Sequence, residues 1–207
     1  MKNQFKLFGL AVLATAIIFS FAACKNDPDT GDGMDYKVGD AGPGGGKVFY
    51  ASKTGFTMTD NNQLCHYLEA APSDQSTTLL WASSSHTSTS ITGTGTAIGT
   101  GRKNTALILA TDANAPAAKA CKDYTVNGLT GWFLPSKDEL DLMYKNLAQK
   151  GLGGFKTIMD NTNCTNRYWS SSQSTNTYAW DQDFSDGEQY GSSKDGNKYS
   201  VRAVRAF

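Results

Sequence analysis

The sequence predicts an α+β domain, on three observations: β-rich segments lie towards both ends of the chain body, helix-permitting segments lie between them, and Gly/Ser/Thr-rich loops join them. Gly42-Pro43-Gly44-Gly45-Gly46 reads as tight turns, because glycine takes positive φ without steric cost. It is no dinucleotide fingerprint: it precedes a strand rather than a helix, and Pro43 lacks a donor. Lys47-Val48-Phe49-Tyr50 is the first expected strand. Residues 67–71, stopped by Pro72, are the second, and residues 78–81 the third.

Residues 83–101 are almost wholly Ser, Thr and Gly and read as loop. A turn of helix is expected around residues 104–109 and a helix over 117–124, with Pro116 between them. Ser136 followed by Glu139 is a capping box, and Asp138 and Glu139 suit a helix N-terminus. Leu140, Met143, Tyr144 and Leu147 recur at helical spacing, Asp141 and Lys145 form an i,i+4 pair, and Gly151 is the stop. The spacing predicts a helix of about 14 residues. Residues 168–171 open the last third as a strand. Residues 178–184 alternate large and polar side chains, Ser185-Asp186-Gly187 is a turn, and residues 199–207 form one closing strand.

Before this body comes a targeting pattern. Lys2 and Lys6 precede an uncharged apolar run from Leu7 to Phe21, and Phe21-Ala22-Ala23-Cys24 follows. The run is shorter than the ~20 residues that span a bilayer. Residues 1–23 are therefore expected to be a signal peptide. Small residues directly before Cys24 resemble the bacterial lipobox, with Phe21 where that family prefers an aliphatic. The resemblance implies a lipid on Cys24 and a place in the cell envelope outside the cytoplasm, at the outer membrane. The polar segment 24–35 reads as a flexible tether. Residues 36–207 remain as the globular domain, long enough for one core.

The chain carries 19 basic and 19 acidic residues, and cleavage after residue 23 removes Lys2 and Lys6 and no acid, for a net charge of −2. That gives nucleic acid no electrostatic partner. With Cys24 acylated, Cys65, Cys121 and Cys164 allow one bridge at most. Cys65–Cys121 is the expected pair, and three free thiols are the alternative. Walker A and Gly-x-Ser-x-Gly motifs are absent, and His66 and His86 have no metal-ligand spacing. No enzymatic activity is expected.

Two groups of residues stand out. Asp181, Asp183, Asp186 and Glu188, with Asn176 nearby, bring oxygen ligands at a density that calcium uses, although solvated acids around a hairpin fit the spacing better. The aromatic set includes Trp81, Trp132, Trp169, Tyr178, Trp180 and Tyr190. Trp132 and Trp169 are expected in the core, and Trp180 and Tyr190 on a ligand-binding surface.

Three segments in order carry a family resemblance: Gly131-Trp132-Phe133-Leu134-Pro135-Ser136-Lys137-Asp138-Glu139-Leu140, then Tyr168-Trp169-Ser170-Ser171-Ser172, then Val201-Arg202-Ala203-Val204-Arg205-Ala206-Phe207. The order resembles the family that includes the C-terminal domain of the Legionella collagen-like adhesin. Val38-Gly39-Asp40-Ala41-Gly42-Pro43 and Tyr67-Leu68-Glu69-Ala70-Ala71-Pro72 look like a variant found in spirochaete-type lipoproteins. The resemblance implies a C-type-lectin-like fold, with paired terminal strands, two flanking helices and long loops. It also implies a membrane-tethered module that binds a glycan or an envelope or matrix protein. A structural envelope protein is the alternative, and an enzyme of the formylglycine-generating type, needing a partner for Cys164, is the more distant one.

Overall fold

A computed structural model describes residues 35–207 of the 207-residue chain. The expected signal peptide, Cys24 and the tether up to Met34 lie outside the described residues. In chain order the elements are β1 (Lys47–Thr57), β2 (Leu64–Ala70), β3 (Ser76–Leu79), α1 (Gly101–Thr111), α2 (Pro116–Lys122), α3 (Lys137–Asn146), β4 (Arg167–Gln173), β5 (Tyr178–Asp183), β6 (Gln189–Ser193), β7 (Tyr199–Val201) and β8 (Val204–Ala206). They form an α+β domain of two sheets, ordered β1-β2-β8 and β3-β7-β4-β5-β6. The first and last strands share one sheet with β2 between them, so β8 pairs with β2 rather than with β1.

Several elements differ from the sequence pattern, each for a local reason. β1 runs on past Tyr50, with a register irregularity between Ala51 and Phe56 that accommodates Gly55. β3 is shifted towards the N-terminus, because Ser76 and Leu79 pair with Val201 and Tyr199 of β7. Trp81 then leaves the sheet, and its Nε1 donates to the Ser170 carbonyl at 2.8 Å. Three α-helices stand where two helices and a single turn of helix are expected. α1 extends over 11 residues, and Ala115, held at ψ 109° ahead of Pro116, separates it from α2. α3 has 10 residues and a complete capping box. It continues only as a short 3₁₀ turn, Ala148–Lys150, which Gly151 ends at φ +68°.

The expected closing strand divides in two. β7 and β8 belong to different sheets, and Arg202 and Ala203 carry the chain from one to the other. The Arg202 guanidinium is buried and holds the crossing: Nε donates to Asp74 Oδ1 at 2.6 Å, and Nη1 donates to the Ala71 and Gly153 carbonyls at 2.9 and 2.8 Å. A period-two reading treats residues 199–207 as one strand, since nothing local in Val-Arg-Ala-Val-Arg marks a change of sheet.

Two apolar clusters fill the interior. One gathers Trp81, Trp132, Trp169, Tyr199 and the alanines of α2; the other gathers Phe49, Leu68, Phe133, Met143, Tyr168 and Phe184. Trp132 and Trp169 are core residues, as expected. Residues 83–100 are loop, yet firmly held. Glu139 accepts from the Gly99 N–H at 2.8 Å, and the Ser136 hydroxyl donates to the Ala97 carbonyl at 3.0 Å.

Candidate functional site

The β5–β6 hairpin carries the expected ligand-binding residues, and its register sorts them onto two faces. Across the hairpin Tyr178 pairs with Ser193, Trp180 with Gly191 and Gln182 with Gln189; Ala179 pairs with Ser192 and Asp181 with Tyr190. Alternate residues of a strand point to opposite sides. Trp180 therefore lies on one face, and Asp181, Asp183 and Tyr190 lie on the other. Trp180 and Tyr190, expected on one ligand-binding surface, thus lie on opposite faces, because the cross-strand register sets Tyr190 opposite Asp181 and not opposite Trp180.

The Trp180 face is the more open. Tyr178 is 45% exposed and Trp180 half-buried. Gly191 opposite Trp180 offers no side chain, and a Cβ there would meet Ser174 Oγ at 3.3 Å, Ser174 Cβ at 3.7 Å and Tyr178 Cβ at 3.9 Å. Lys137 Nζ lies 4.3 Å from the indole centroid. The Gln182 amide donates to Asp141 Oδ1 of α3 at 3.1 Å, and the Gln189 amide to the Lys137 carbonyl at 2.9 Å, which fixes the hairpin against the start of α3. Two aromatic rings two residues apart on one strand face, with hydroxyl and ammonium groups beside them, provide flat apolar surface within reach of hydrogen-bonding groups.

The opposite face is built around an ion pair. Arg167 of β4 donates through Nε to Asp181 Oδ2 at 2.7 Å, and its guanidinium lies between the rings of Tyr190 (4.8 Å) and Tyr199 (4.6 Å). Asp181 is fully buried, and its Oδ1 has no hydrogen-bond partner among the described residues. Burial outweighs Arg167 and pushes the carboxyl pKa up to about 6. Asp183 Oδ1 accepts from Asn166 Nδ2 at 2.6 Å and from the Ser185 hydroxyl and N–H at 2.6 and 2.8 Å, while Asp186 accepts from the Glu188 N–H at 2.9 Å. These carboxylates serve local turns and do not converge. Among the described residues no three His, Cys, Asp or Glu side chains come together as a metal cage.

Sequence reasoning missed Lys194. Its ammonium is buried and donates to the Thr89 carbonyl, Gln173 Oε1 and the Asn176 carbonyl at 2.9, 2.8 and 2.8 Å. It also lies 4.7 Å from the Trp81 ring centroid. It ties the Ser/Thr loop to the β4–β5 turn, and burial lowers its pKa to about 8. A lone Lys in Ser-Ser-Lys-Asp-Gly reads as a solvated turn residue, so no local pattern marks it.

His86 is partly covered beside Ser83, Ser85 and Asp112, all of which meet its Nδ1. The Ser83 hydroxyl donates to Asp112 Oδ1 at 2.8 Å. A nucleophilic triad needs the serine and the carboxylate on different imidazole nitrogens, so this cluster lacks that geometry. Cys121 is a free, fully buried thiol on α2, packed among the tryptophans, whereas Cys65 belongs to the other apolar cluster. The expected Cys65–Cys121 bridge is not formed, since the two side chains serve separate cores. Cys164 is also a free thiol, partly exposed.

Among the described residues no helix is long and apolar enough to cross a membrane. A family model described as the Lcl C-terminal domain matches residues 71–205. No curated protein matches the chain. A solved fimbrial protein from Bacteroides ovatus is 17% identical, with a TM-score of 0.49; the match covers 78% of this chain and 44% of that one, so this chain spans less than half of that protein's length.

Proposed function

The chain belongs to the Lcl C-terminal domain family, and from that premise we propose that it is a non-enzymatic, ligand-binding module of C-type-lectin-like fold, displayed outside the cytoplasm. Its anchor is a lipid on Cys24 after removal of residues 1–23, its tether is the segment 24–35, and its site is the outer membrane. The lipobox-like Ala22-Ala23-Cys24 supports the anchor, and mass spectrometry of the purified protein tests it. An acylated N-terminal Cys24 is expected; an intact Met1 or an unmodified Cys24 overturns it.

The ligand is a glycan, held on the Tyr178–Trp180 face. The observation that carries this reading is the exposed Tyr178 and half-buried Trp180 on one strand face, with Gly191 opposite Trp180 and the Lys137 ammonium over the indole ring. Sugar rings stack on such surfaces through their C–H faces while their hydroxyls reach flanking donors and acceptors. A glycan array run with and without calcium is the test. Binding that Trp180→Ala abolishes supports the reading, and an array without any bound glycan removes the ligand class.

The non-enzymatic assignment is supported by the Ser83–His86–Asp112 geometry and by Cys121, whose burial raises its thiol pKa and disfavours a reactive thiolate. A second reading, a structural envelope component that binds another protein, is favoured by Ile158 and Met159, adjacent in one loop and 86% and 59% exposed. Crosslinking in intact cells distinguishes it: an adduct through the 155–160 loop supports a protein partner, and its absence removes that reading.

A further inference from the structure

A second concave site lies away from the β5–β6 hairpin. A cavity of about 460 Å³ opens between the β1–β2 turn, α1, the end of α2 and the segment before α3. Its apolar surface is that of the exposed Ala106, with the core residues Trp132 and Phe133, each 1% exposed, bordering it from beneath. Its volume is within the range of pockets that hold small ligands.

The polar groups in the floor are already satisfied. The Thr105 hydroxyl donates to the Gly101 carbonyl at 2.8 Å and accepts the Leu134 N–H at 3.0 Å, and Trp132 Nε1 donates to the Leu129 carbonyl at 3.2 Å. The rim is different. Arg102 Nε and Nη2 grip Asp60 at 2.7 and 3.0 Å, and Nη2 also donates to Asn61 Oδ1 at 2.9 Å. That grip holds the guanidinium in place and leaves Nη1 without a partner among the described residues. The Lys122 ammonium and the Thr130 hydroxyl line the same cavity, are exposed, and likewise have no side-chain partner among the described residues. The cavity thus has a small apolar wall at Ala106, three uncommitted donors and a lining charge of +1 from Arg102, Lys122 and Asp60.

We infer that this cavity binds a sugar ring bearing one carboxylate, of the hexuronate class. The ring rests against Ala106 and the methylene stems of Arg102 and Lys122, and the carboxylate accepts from Arg102 Nη1 and Lys122 Nζ, with Thr130 reaching a ring hydroxyl. Charge-assisted bonds to a fixed guanidinium favour a planar carboxylate. The Asp60 carboxylate in the same rim repels a doubly charged anion, so sulfate and phosphate fit less well.

The cavity shares no residue with the Tyr178–Trp180 face, so either site can fail without the other. The test is saturation-transfer NMR and calorimetry on purified full-length protein, with sodium glucuronate as probe and glucose and sulfate as comparators. Glucuronate is expected to bind at least about tenfold more tightly than either comparator, a difference of about 1.4 kcal/mol. Lys122→Glu is expected to weaken it by about tenfold or more, Lys122→Arg to retain it, and Trp180→Ala to leave it unchanged. Lys122 is exposed, so these variants are expected to fold, and circular dichroism checks that they do. Glucuronate shifts of the Thr130 and Gly131 amides locate the ligand independently of any variant. Absence of glucuronate binding, sulfate binding as tight as glucuronate, unchanged binding in Lys122→Glu, or amide shifts confined to the hairpin each overturn the proposal.

Discussion

Trp180 and Gly191 face each other across the β5–β6 hairpin, so no β6 side chain rises beside the indole. Gly191→Val places a branched side chain there, and the nearest atom its Cβ would meet is Ser174 Oγ at 3.3 Å. Loss of glycan binding with a stability change under about 1 kcal/mol is expected, because the position is exposed and valine suits a strand. Array binding and thermal melting measured side by side check it. Full binding by the variant would show that the indole face is not the contact.

Glu139 joins the starts of two helices. Its Oε1 accepts from the Gly99 N–H at 2.8 Å and its Oε2 from the Ser136 N–H at 2.7 Å, while a Cβ on Gly101 would lie 2.2 Å from Oε2. The carboxyl is fully buried, and desolvation, opposed by these N–H groups, pushes its pKa up to about 7. With a folded pKa above the unfolded value, the native state binds more protons between them. Stability from this group is full below about pH 4 and falls as pH rises through 7, by about 3 kcal/mol in all. Asp181, pushed up to about 6, acts in the same direction. The melting temperature is expected to decline from pH 5 to pH 8. Glu139→Gln cannot titrate and turns an amide NH₂ towards N–H donors, so its deficit relative to the parent chain is expected to shrink over the same range. Calorimetric scans across pH read both effects.

Arg167 and Asp181 respond unequally to truncation. Arg167→Met leaves the buried Asp181 carboxylate without its cation and is expected to cost about 3–5 kcal/mol. Asp181→Asn removes an under-partnered charge and is expected to cost less than half of that. Chemical denaturation of the two variants ranks them, and the reverse order would mean that the ion pair is not what holds this face.

Lys194→Met strips a buried ammonium from three oxygen acceptors while keeping the length of the side chain. A loss of about 2–4 kcal/mol is expected, with faster amide exchange concentrated in residues 83–100 and 173–177, because Thr89, Gln173 and Asn176 lose their common donor. Uniform exchange change across the domain would contradict a local tie.

Thiol labelling of the folded protein is expected to modify Cys164 and spare Cys121. Cys121 is fully buried with its pKa raised, and Cys164 is partly exposed. Peptide mapping after alkylation under native conditions checks the order of reaction.

Local chemistry settled much of the fold. The Ser136 and Glu139 side chains satisfy each other's backbone within four residues, so the start of α3 is present in the sequence whatever the rest of the chain does. The alternation over residues 178–184 and the Ser185-Asp186-Gly187 turn likewise mark β5 and its turn from neighbouring residues alone, whereas β6, with Gly191 between polar residues, shows no such pattern. Only the three-dimensional arrangement decided that the closing segment changes sheet at Arg202, since its partners Asp74, Ala71 and Gly153 are far away along the chain. The same holds for Lys194, whose acceptors come from two separate loops, and for the placing of Trp180 and Tyr190 on opposite faces, which follows from cross-strand register. Caps, turns and periodicity depend on interactions between near neighbours and are therefore written into short stretches of sequence. The sharing of one buried charge, or of one surface, among distant segments depends on how those segments meet, and the folded chain alone determines that.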